Sequence, residues 1–405
     1  MARMTGGAAM MESVIAHGID TVFGLPGVQT YEYWDALHRA GDRVAVYSTR
    51  HEQGAAYMAY GYAQSTGNIG TYTVVPGPGV LNTTAALCTA YGSNVPVLCV
   101  TGQVPLAYIG GGHDELHEIS DQLGILRGLT KWAERVEQPA AAPGLVAEAF
   151  RQLRSGRPRP VALEMPWDVC GISAEVTSVE PLEPYPAPES DPAQIQRAAV
   201  AISKAKRPMI LVGGGAIAAR EEVLALAEML EAPVTSNRAG RGIVSSDHEL
   251  GMLYTAAYKL WSETDAVITI GSRMELQYLR WRCMPKDAPL IRIDIDPKEM
   301  LRIRPDVGII ADAKQATGAL IEALNKQIGK RPSRRNEITN AKSAAAKEVE
   351  QLQPQMSYLN VMRDVLPRDG IFVDEITQVG FAAWSSYPTY EPRTYVTSGH
   401  QGTLG

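Results

Sequence analysis

The stretch Ser48-Thr49-Arg50-His51-Glu52-Gln53-Gly54-Ala55-Ala56-Tyr57-Met58-Ala59 places a carboxylate where a strand gives way to a helix. Val44, Val46 and Ser48 alternate as strand residues do, and Ala55, Ala56, Ala59 and Ala63 then recur at helical spacing. Glu52 therefore falls in the first helical turn, where the helix dipole favours an acid. Its neighbourhood sets it apart from an ordinary first-turn acid. Upstream, Thr21-Val22-Phe23-Gly24-Leu25-Pro26-Gly27-Val28 is an apolar strand that runs into a glycine turn. Downstream, Thr71-Tyr72-Thr73-Val74-Val75 breaks into Pro76-Gly77-Pro78-Gly79 before an Ala-rich helix. In an open parallel sheet such turns lie at the carboxyl ends of strands, where ligands bind. Neither is a phosphate loop, because no Lys-bearing glycine loop and no G-x-G-x-x-G follows either strand.

With 405 residues, the chain exceeds one ordinary domain and suits two or three α/β domains. Apolar residues make up 45% and charged residues 20%, an ordinary globular balance. A formal charge of -6 argues against a nucleic-acid partner. The one basic tract, Lys330-Arg331-Pro332-Ser333-Arg334-Arg335, reads as a solvated linker. The cysteines Cys88, Cys99, Cys170 and Cys283 form no C-x-x-C pair and have no zinc-like His spacing, so a reducing, cytoplasmic setting is expected and no protein metal site. Met1 to Met11 lacks the apolar core of a signal peptide, and no run approaches a membrane span.

Strand-like runs at 44–48, 70–75, 95–101 and 160–165 alternate with Ala-rich or amphipathic segments, as βα units do. A first domain is expected over 1–170, followed by a Pro-rich linker over 171–190 that includes Pro181-Leu182-Glu183-Pro184-Tyr185-Pro186-Ala187-Pro188. A second α/β unit spans 191–330, with Pro208 to Val212 feeding Gly213-Gly214-Gly215 and further strands at 233–236, 266–270 and 290–295. A connecting segment covers 331–355, and 356–405 opens a third unit. The fold class is α/β, with tandem doubly wound parallel-sheet domains.

Four ordered segments carry a resemblance: Val22-Phe23-Gly24-Leu25-Pro26-Gly27, His51-Glu52-Gln53-Gly54-Ala55-Ala56, Gly77-Pro78-Gly79 with Asn82, and Val100-Thr101-Gly102-Gln103-Val104-Pro105. Together they resemble the pyrimidine-binding domain of thiamine diphosphate-dependent enzymes, in the branch that contains acetolactate synthase, pyruvate oxidase and benzoylformate decarboxylase. The resemblance implies a 2-oxo acid decarboxylase or carboligase that uses thiamine diphosphate and Mg²⁺ in a homodimer or homotetramer with shared active sites. By that match Glu52 is the acid that hydrogen-bonds the aminopyrimidine and tunes the cofactor. Pro26, Gly27, Pro76 and Asn82 would line the pyrimidine pocket, Val379 and Gly380 would contact the aminopyrimidine through backbone, and Leu404 would wedge the cofactor into its bent shape.

His117 and Glu118 fall where acetolactate synthases place Phe and Gln near substrate, which sets the acetolactate reaction itself in question. His113 and His117, four apart, would share one face if the segment is helical, and could move protons at the substrate. The central unit resembles a domain that binds FAD in some members. The triple glycine and Arg273 suit a flavin diphosphate, whereas Met274 to Trp281 lacks the expected acidic pattern, so FAD is left open. The family holds Mg²⁺ through a Gly-Asp-Gly motif and a later Asn, and this sequence contains no Gly-Asp-Gly, which implies an incomplete and impaired form. Two alternatives stand beside this reading: a thiamine-dependent oxidase or acyl-CoA decarboxylase, and a non-catalytic binding or regulatory homologue.

Overall fold

The computed structural model describes residues 1–281, 284–399 and 401–402. Its contacts divide into a unit formed by residues 1–186 together with the described part of 398–403, and a unit formed by 187–397. In the first unit the elements follow one another as β1 (Ala2–Thr5), α1 (Gly6–Ala16), β2 (Thr21–Gly24), α2 (Tyr31–Ala40), β3 (Ala45–Ser48) and α3 (Glu52–Thr66). They continue as β4 (Gly70–Val74), α4 (Pro78–Ser93), β5 (Val97–Gln103), α5 (Gln122–Leu129), β6 (Trp132–Arg135) and α6 (Ala142–Arg154). β7 (Val161–Pro166), α7 (Trp167–Gly171) and β8 (Ser173–Val176) complete it.

Six of these strands form one sheet in the order β3-β2-β4-β5-β7-β6, every neighbouring pair parallel. Alternation along the strands builds two cores from one sheet. Leu98, Val100, Val161, Leu163 and Met165 face one side with Met10, Met11, Tyr33 and Phe150. Val97, Cys99, Ala162, Tyr72 and Val74 face the other with Ala55, Ala59, Ala63 and Leu87. Strands buried on both faces read as continuous apolar runs, which is why β4, β5 and β7 stand out in the sequence. β6 is a short, polar edge strand, and β1 pairs antiparallel with β8 in a separate ribbon. Neither carries a periodic signal. Residues 173–176, expected in the linker, thus belong to this unit.

The chain leaves β2 for β3 on one side and returns to β4 on the other. That reversal is a topological switch point, the usual place for a ligand crevice. α3 lies close over the sheet because its buried residues are Ala55, Ala56, Ala59 and Ala63 together with Tyr60. At Gly70 the backbone of this helix comes so near that a Cβ would sit 1.9 Å from the Ala59 carbonyl oxygen.

The second unit runs α8 (Pro192–Lys204), β9 (Pro208–Val212), α9 (Arg220–Leu230), β10 (Val234–Ser236), β11 (Gly251–Met252), α10 (Tyr254–Trp261), β12 (Ala266–Ile270) and α11 (Glu275–Arg280). It continues β13 (Leu290–Asp294), α12 (Glu299–Arg302), β14 (Val307–Ile310), α13 (Ala313–Asn325) and α14 (Arg335–Val349). Its sheet is also parallel and six-stranded, ordered β11-β10-β9-β12-β13-β14. α15 (Gln355–Val365), β15 (Phe372–Val373), α16 (Gln378–Ser386) and β16 (Tyr395–Val396) follow. The stretch expected to open a third unit packs, over 356–397, within this second one. Buried Arg241 donates to the carbonyls of Ala383 at 3.0 Å and Tyr387 at 2.8 Å, and lies 4.1 Å from the centre of the Tyr395 ring.

Gly70→Ala drives a methyl group into the backbone of α3, a site that cannot give by side-chain rotation. It is expected to destabilise the first unit by about 1–3 kcal/mol, read as a lowered urea midpoint at unchanged slope.

Candidate functional site

The strand order sets the turns after β3, β2 and β4 side by side along one sheet edge. They are laced together by backbone: the Thr49 N–H donates to the Gly24 carbonyl at 2.9 Å, and the Leu25 N–H to the Thr73 carbonyl at 3.2 Å. Glu52 is the first residue of α3. His51 caps that helix, its Nδ1 accepting from the Gln53 N–H at 3.2 Å. The Glu52 carboxyl is half-buried, and its Oε2 accepts from Asn82 Nδ2 on α4 at 2.9 Å. Its Oε1 has no hydrogen-bond partner among the described residues.

Gly27 and Gly79 approach Val75 from two directions. A Cβ on Gly27 would lie 2.2 Å from Val75 Cγ1, and one on Gly79 would lie 2.7 Å from Val75 Cγ2 and 3.8 Å from Glu52 Cγ. The structure thereby brings Gly27 and Gly79 against Val75 and links Gly79 and Asn82 to Glu52, with Pro76 buried next to Val75 in the chain and Pro26 exposed on the neighbouring turn. The result is a patch walled by small residues with one carboxyl oxygen free to take a proton-bearing nitrogen. This set fits the planar, hydrogen-bonding end of a thiamine pyrimidine.

Gly77 adopts φ +59°, which only glycine takes readily, and serves as the N-cap of α4. Two groups hold it. Its N–H donates to Gln122 Oε1 at 2.8 Å, and the His117 carbonyl lies 2.3 Å from where a Cβ would stand. Gln122 belongs to a buried network that no motif in the sequence marks. Its Nε2 donates to the Gly102 carbonyl at 3.0 Å and to Glu164 Oε2 at 2.8 Å. Gln103 Nε2 reaches the same oxygen at 3.3 Å, and Arg135 Nε donates to Glu164 Oε1 at 2.6 Å. Glu164 is fully buried, so its charge depends on this pairing.

The segment 110–118 is a loop and not a helix, so His113 and His117 do not share a helical face. Asp114 and His117 have φ of +56° and +68°, which no α-helix accommodates. The Glu118 carboxylate accepts three backbone N–H groups, from Gly112 at 3.0 Å, His113 at 3.1 Å and Glu115 at 3.0 Å. These bonds, the Glu115 one foremost, hold its pKa below the usual glutamate value. Glu118 therefore organises the loop with the group that was expected to face substrate. The His113 ring packs edge-on against Tyr108, 5.7 Å between centroids. His117 Nδ1 is buried without a hydrogen-bond partner among the described residues. The loop is further pinned where Gln29 Nε2 donates to the Leu116 carbonyl at 3.1 Å.

Residues 4–125 match the family model described as thiamine pyrophosphate enzyme, N-terminal TPP binding domain, and residues 195–320 match the thiamine pyrophosphate enzyme central domain. The chain belongs to the thiamine pyrophosphate enzyme family. It is 32% identical to the probable 2-ketoarginine decarboxylase AruI of Pseudomonas aeruginosa over 99% of this chain and 73% of that protein. It is 37% identical to the acetolactate synthase of Arthrospira platensis over 79% of this chain, a match spanning 58% of that relative. Glyoxylate carboligase of Escherichia coli O157:H7 is 31% identical over 100% of this chain and 71% of its own length.

In this thiamine pyrophosphate enzyme chain, Val379 and Gly380 lie in the first turn of α16 in the second unit. Thr377 Oγ1 caps that turn by accepting from the Gly380 N–H at 3.0 Å, and a Cβ on Gly380 would lie 1.9 Å from the Glu375 carbonyl oxygen. Leu404 and Cys283 lie outside the described residues. The Gly213-Gly214-Gly215 turn is packed against Gly271, whose carbonyl oxygen is 2.3 Å from a Gly213 Cβ position. Arg273 stands 3.8 Å from buried Glu299, to which Arg292 and Arg302 also turn. Among the described residues no group of three or more His, Cys, Asp or Glu is placed to hold a metal. Nor, among them, is any helix long and apolar enough to cross a membrane.

Because Glu118 has a depressed pKa, its contribution to loop order is fully present above the ordinary glutamate pKa of about 4.3 and is lost as pH falls through its lower folded value. Limited proteolysis with an acid-active protease is expected to leave 110–118 of the native protein intact until that range is reached. Glu118→Ala is expected to be cut there at every pH tested.

Proposed function

We propose that this chain is a thiamine diphosphate-dependent 2-oxo acid decarboxylase or carboligase of the acetolactate synthase kind. The observation that carries the reading is the half-buried Glu52 at the start of α3, with one oxygen taken by Asn82, the other without a hydrogen-bond partner among the described residues, and Gly79 close against its Cγ. Thiamine diphosphate, when bound, supplies the carbon nucleophile and electron sink that cleavage beside a 2-oxo group requires. Glu52 Oε1 shares a proton with a ring nitrogen of the aminopyrimidine. Asn82 fixes the carboxyl's rotation so that this oxygen faces the ring. Gly27, Pro76 and Gly79 keep the wall flat enough for it to approach.

His117 is the substrate-facing group, because its Nδ1 is buried and unpartnered among the described residues beside the Gly77 turn. It holds or delivers a proton at the substrate. His113 packs its ring on Tyr108. The names of two relatives, a 2-ketoarginine decarboxylase and a glyoxylate carboligase, share the 2-oxo acid and differ in the fate of the cleaved fragment. That range supports the substrate class. Mg²⁺ belongs to the proposal as the oxygen-liganded partner a diphosphate needs. The setting is cytoplasmic, in keeping with the free thiols of Cys88, Cys99 and Cys170.

The working form is a homodimer or homotetramer with shared sites. Met58 on α3 and Leu81 on α4, each 42% exposed, give the two helices next to Glu52 an apolar outer surface. Sedimentation is expected to return a dimer or larger species, and a monomer at micromolar concentration would contradict this.

With thiamine diphosphate and Mg²⁺ present, a panel of 2-oxo acids that includes guanidino and small members is expected to yield CO₂. Glu52→Gln is expected to slow turnover about 10²–10⁴-fold with unchanged circular dichroism. Unchanged exchange of the cofactor's C2 proton in Glu52→Gln would remove the assigned role. An absorbance scan decides the flavin: a preparation that stays colourless with added FAD leaves the central domain without one, and oxygen uptake would move the enzyme to the oxidases.

A further inference from the structure

We propose that Gln122 is a positioning residue for Glu52, acting through the Gly77 turn and Asn82. The proposal rests on the functional reading of Glu52 given above and adds a residue that no sequence motif marks.

Gln122 is 1% exposed, and its amide uses both donor hydrogens and one acceptor position of its oxygen. Oε1 accepts from the Gly77 N–H, while Nε2 donates to Gly102 and to Glu164. The amide has only one workable orientation. Turned over, its oxygen would face the Gly102 carbonyl and the Glu164 carboxylate, and its NH₂ would face the Gly77 N–H. The buried Glu164, pinned by Arg135 at 2.6 Å, therefore fixes which atom Gly77 meets.

The Gly77 end of this network controls α4. As the N-cap, Gly77 has no side chain to offer, and Val80 at the third helical position is apolar. A helix of this kind lacks the reciprocal bond by which Glu or Gln at that position returns to the N-cap N–H. Gln122 supplies that bond from α5. Asn82 lies five residues along α4, and the Leu81 N–H closes the first turn on the Gly77 carbonyl at 2.9 Å. A helix is stiff over this distance, so displacing Gly77 displaces Asn82 with it, and Asn82 is the donor that orients Glu52.

A residue that merely filled the core would soften the whole unit when replaced. A positioning residue softens one path. Hydrogen exchange read by mass spectrometry separates these. Gln122→Asn keeps an amide but falls one methylene short of Gly77, and Gln122→Met keeps the length without the bonds. Both are expected to speed exchange of the amides over 77–82 about tenfold, the loss of roughly one buried hydrogen bond, with α1 and α6 at native rates.

Equal loosening throughout the first unit, or native exchange at 77–82 in both single variants, would overturn the proposal. Titration with thiamine diphosphate and Mg²⁺, followed by tryptophan fluorescence, gives the functional arm: Gln122→Asn is expected to bind about tenfold more weakly than the native chain. A native chain that takes up no thiamine diphosphate would bring down the functional reading, and the exchange comparison would still decide the role of Gln122.

Discussion

The placement of β2 between β3 and β4 is the constraint on which the site depends. Three turns far apart in the chain become neighbours only because the sheet reverses direction there, and parallel pairing fixes how far each turn projects. A one-residue slip of any of these strands would swap its core-facing and opposite-facing side chains and misplace its turn together. Burial of β2 and β4 resists such a slip there, and β3, exposed along its length, takes its register from its ladder to β2. The apolar strands that build two cores from one sheet therefore also set the distance from Glu52 to Asn82.

Electrostatics does the finer placement. Glu164 and Arg135 form a buried ion pair at the ends of β7 and β6, and breaking one partner of such a pair leaves an uncompensated charge. Two glutamines spend their donors on the same carboxylate, so that its field organises three strand ends. Glu118 does a comparable task at the surface with backbone amides. The same side-chain type thus serves three ends in one unit: paired with Asn82 at the head of α3 at 52, framework at 164 and loop-shaping at 118.

Much of this is legible in the sequence where the signal is local. The switch from strand to helical spacing locates Glu52 at the head of α3, and the glycine and proline turns locate its neighbours. Where meaning comes from distant pairing the sequence is silent. Gln122, Gln103 and Glu164 are ordinary residues until folding brings them together across 42 and 61 positions. The i, i+4 spacing of His113 and His117 suggests a shared helical face that the loop at 110–118 does not provide, although Gly110-Gly111-Gly112 already argues for a loop. The edge strand β6 is hard to see because Trp132-Ala133-Glu134-Arg135 has neither the length nor the alternation of a buried strand. The segment from 356 onward reads as a new domain because its helix and strand repeat the βα pattern. Arg241 and its carbonyl partners, which tie it to the second unit, are invisible in that pattern.

The alanine face of α3 has one more consequence. Ala55, Ala56, Ala59 and Ala63 leave that face of the helix no long side chain that can re-pack to accommodate a change, and Gly70 leaves it no gap to settle into. The height of the Glu52 backbone over the sheet is therefore set by the whole helix at once, and only the rotation of its side chain is left for Asn82 to choose.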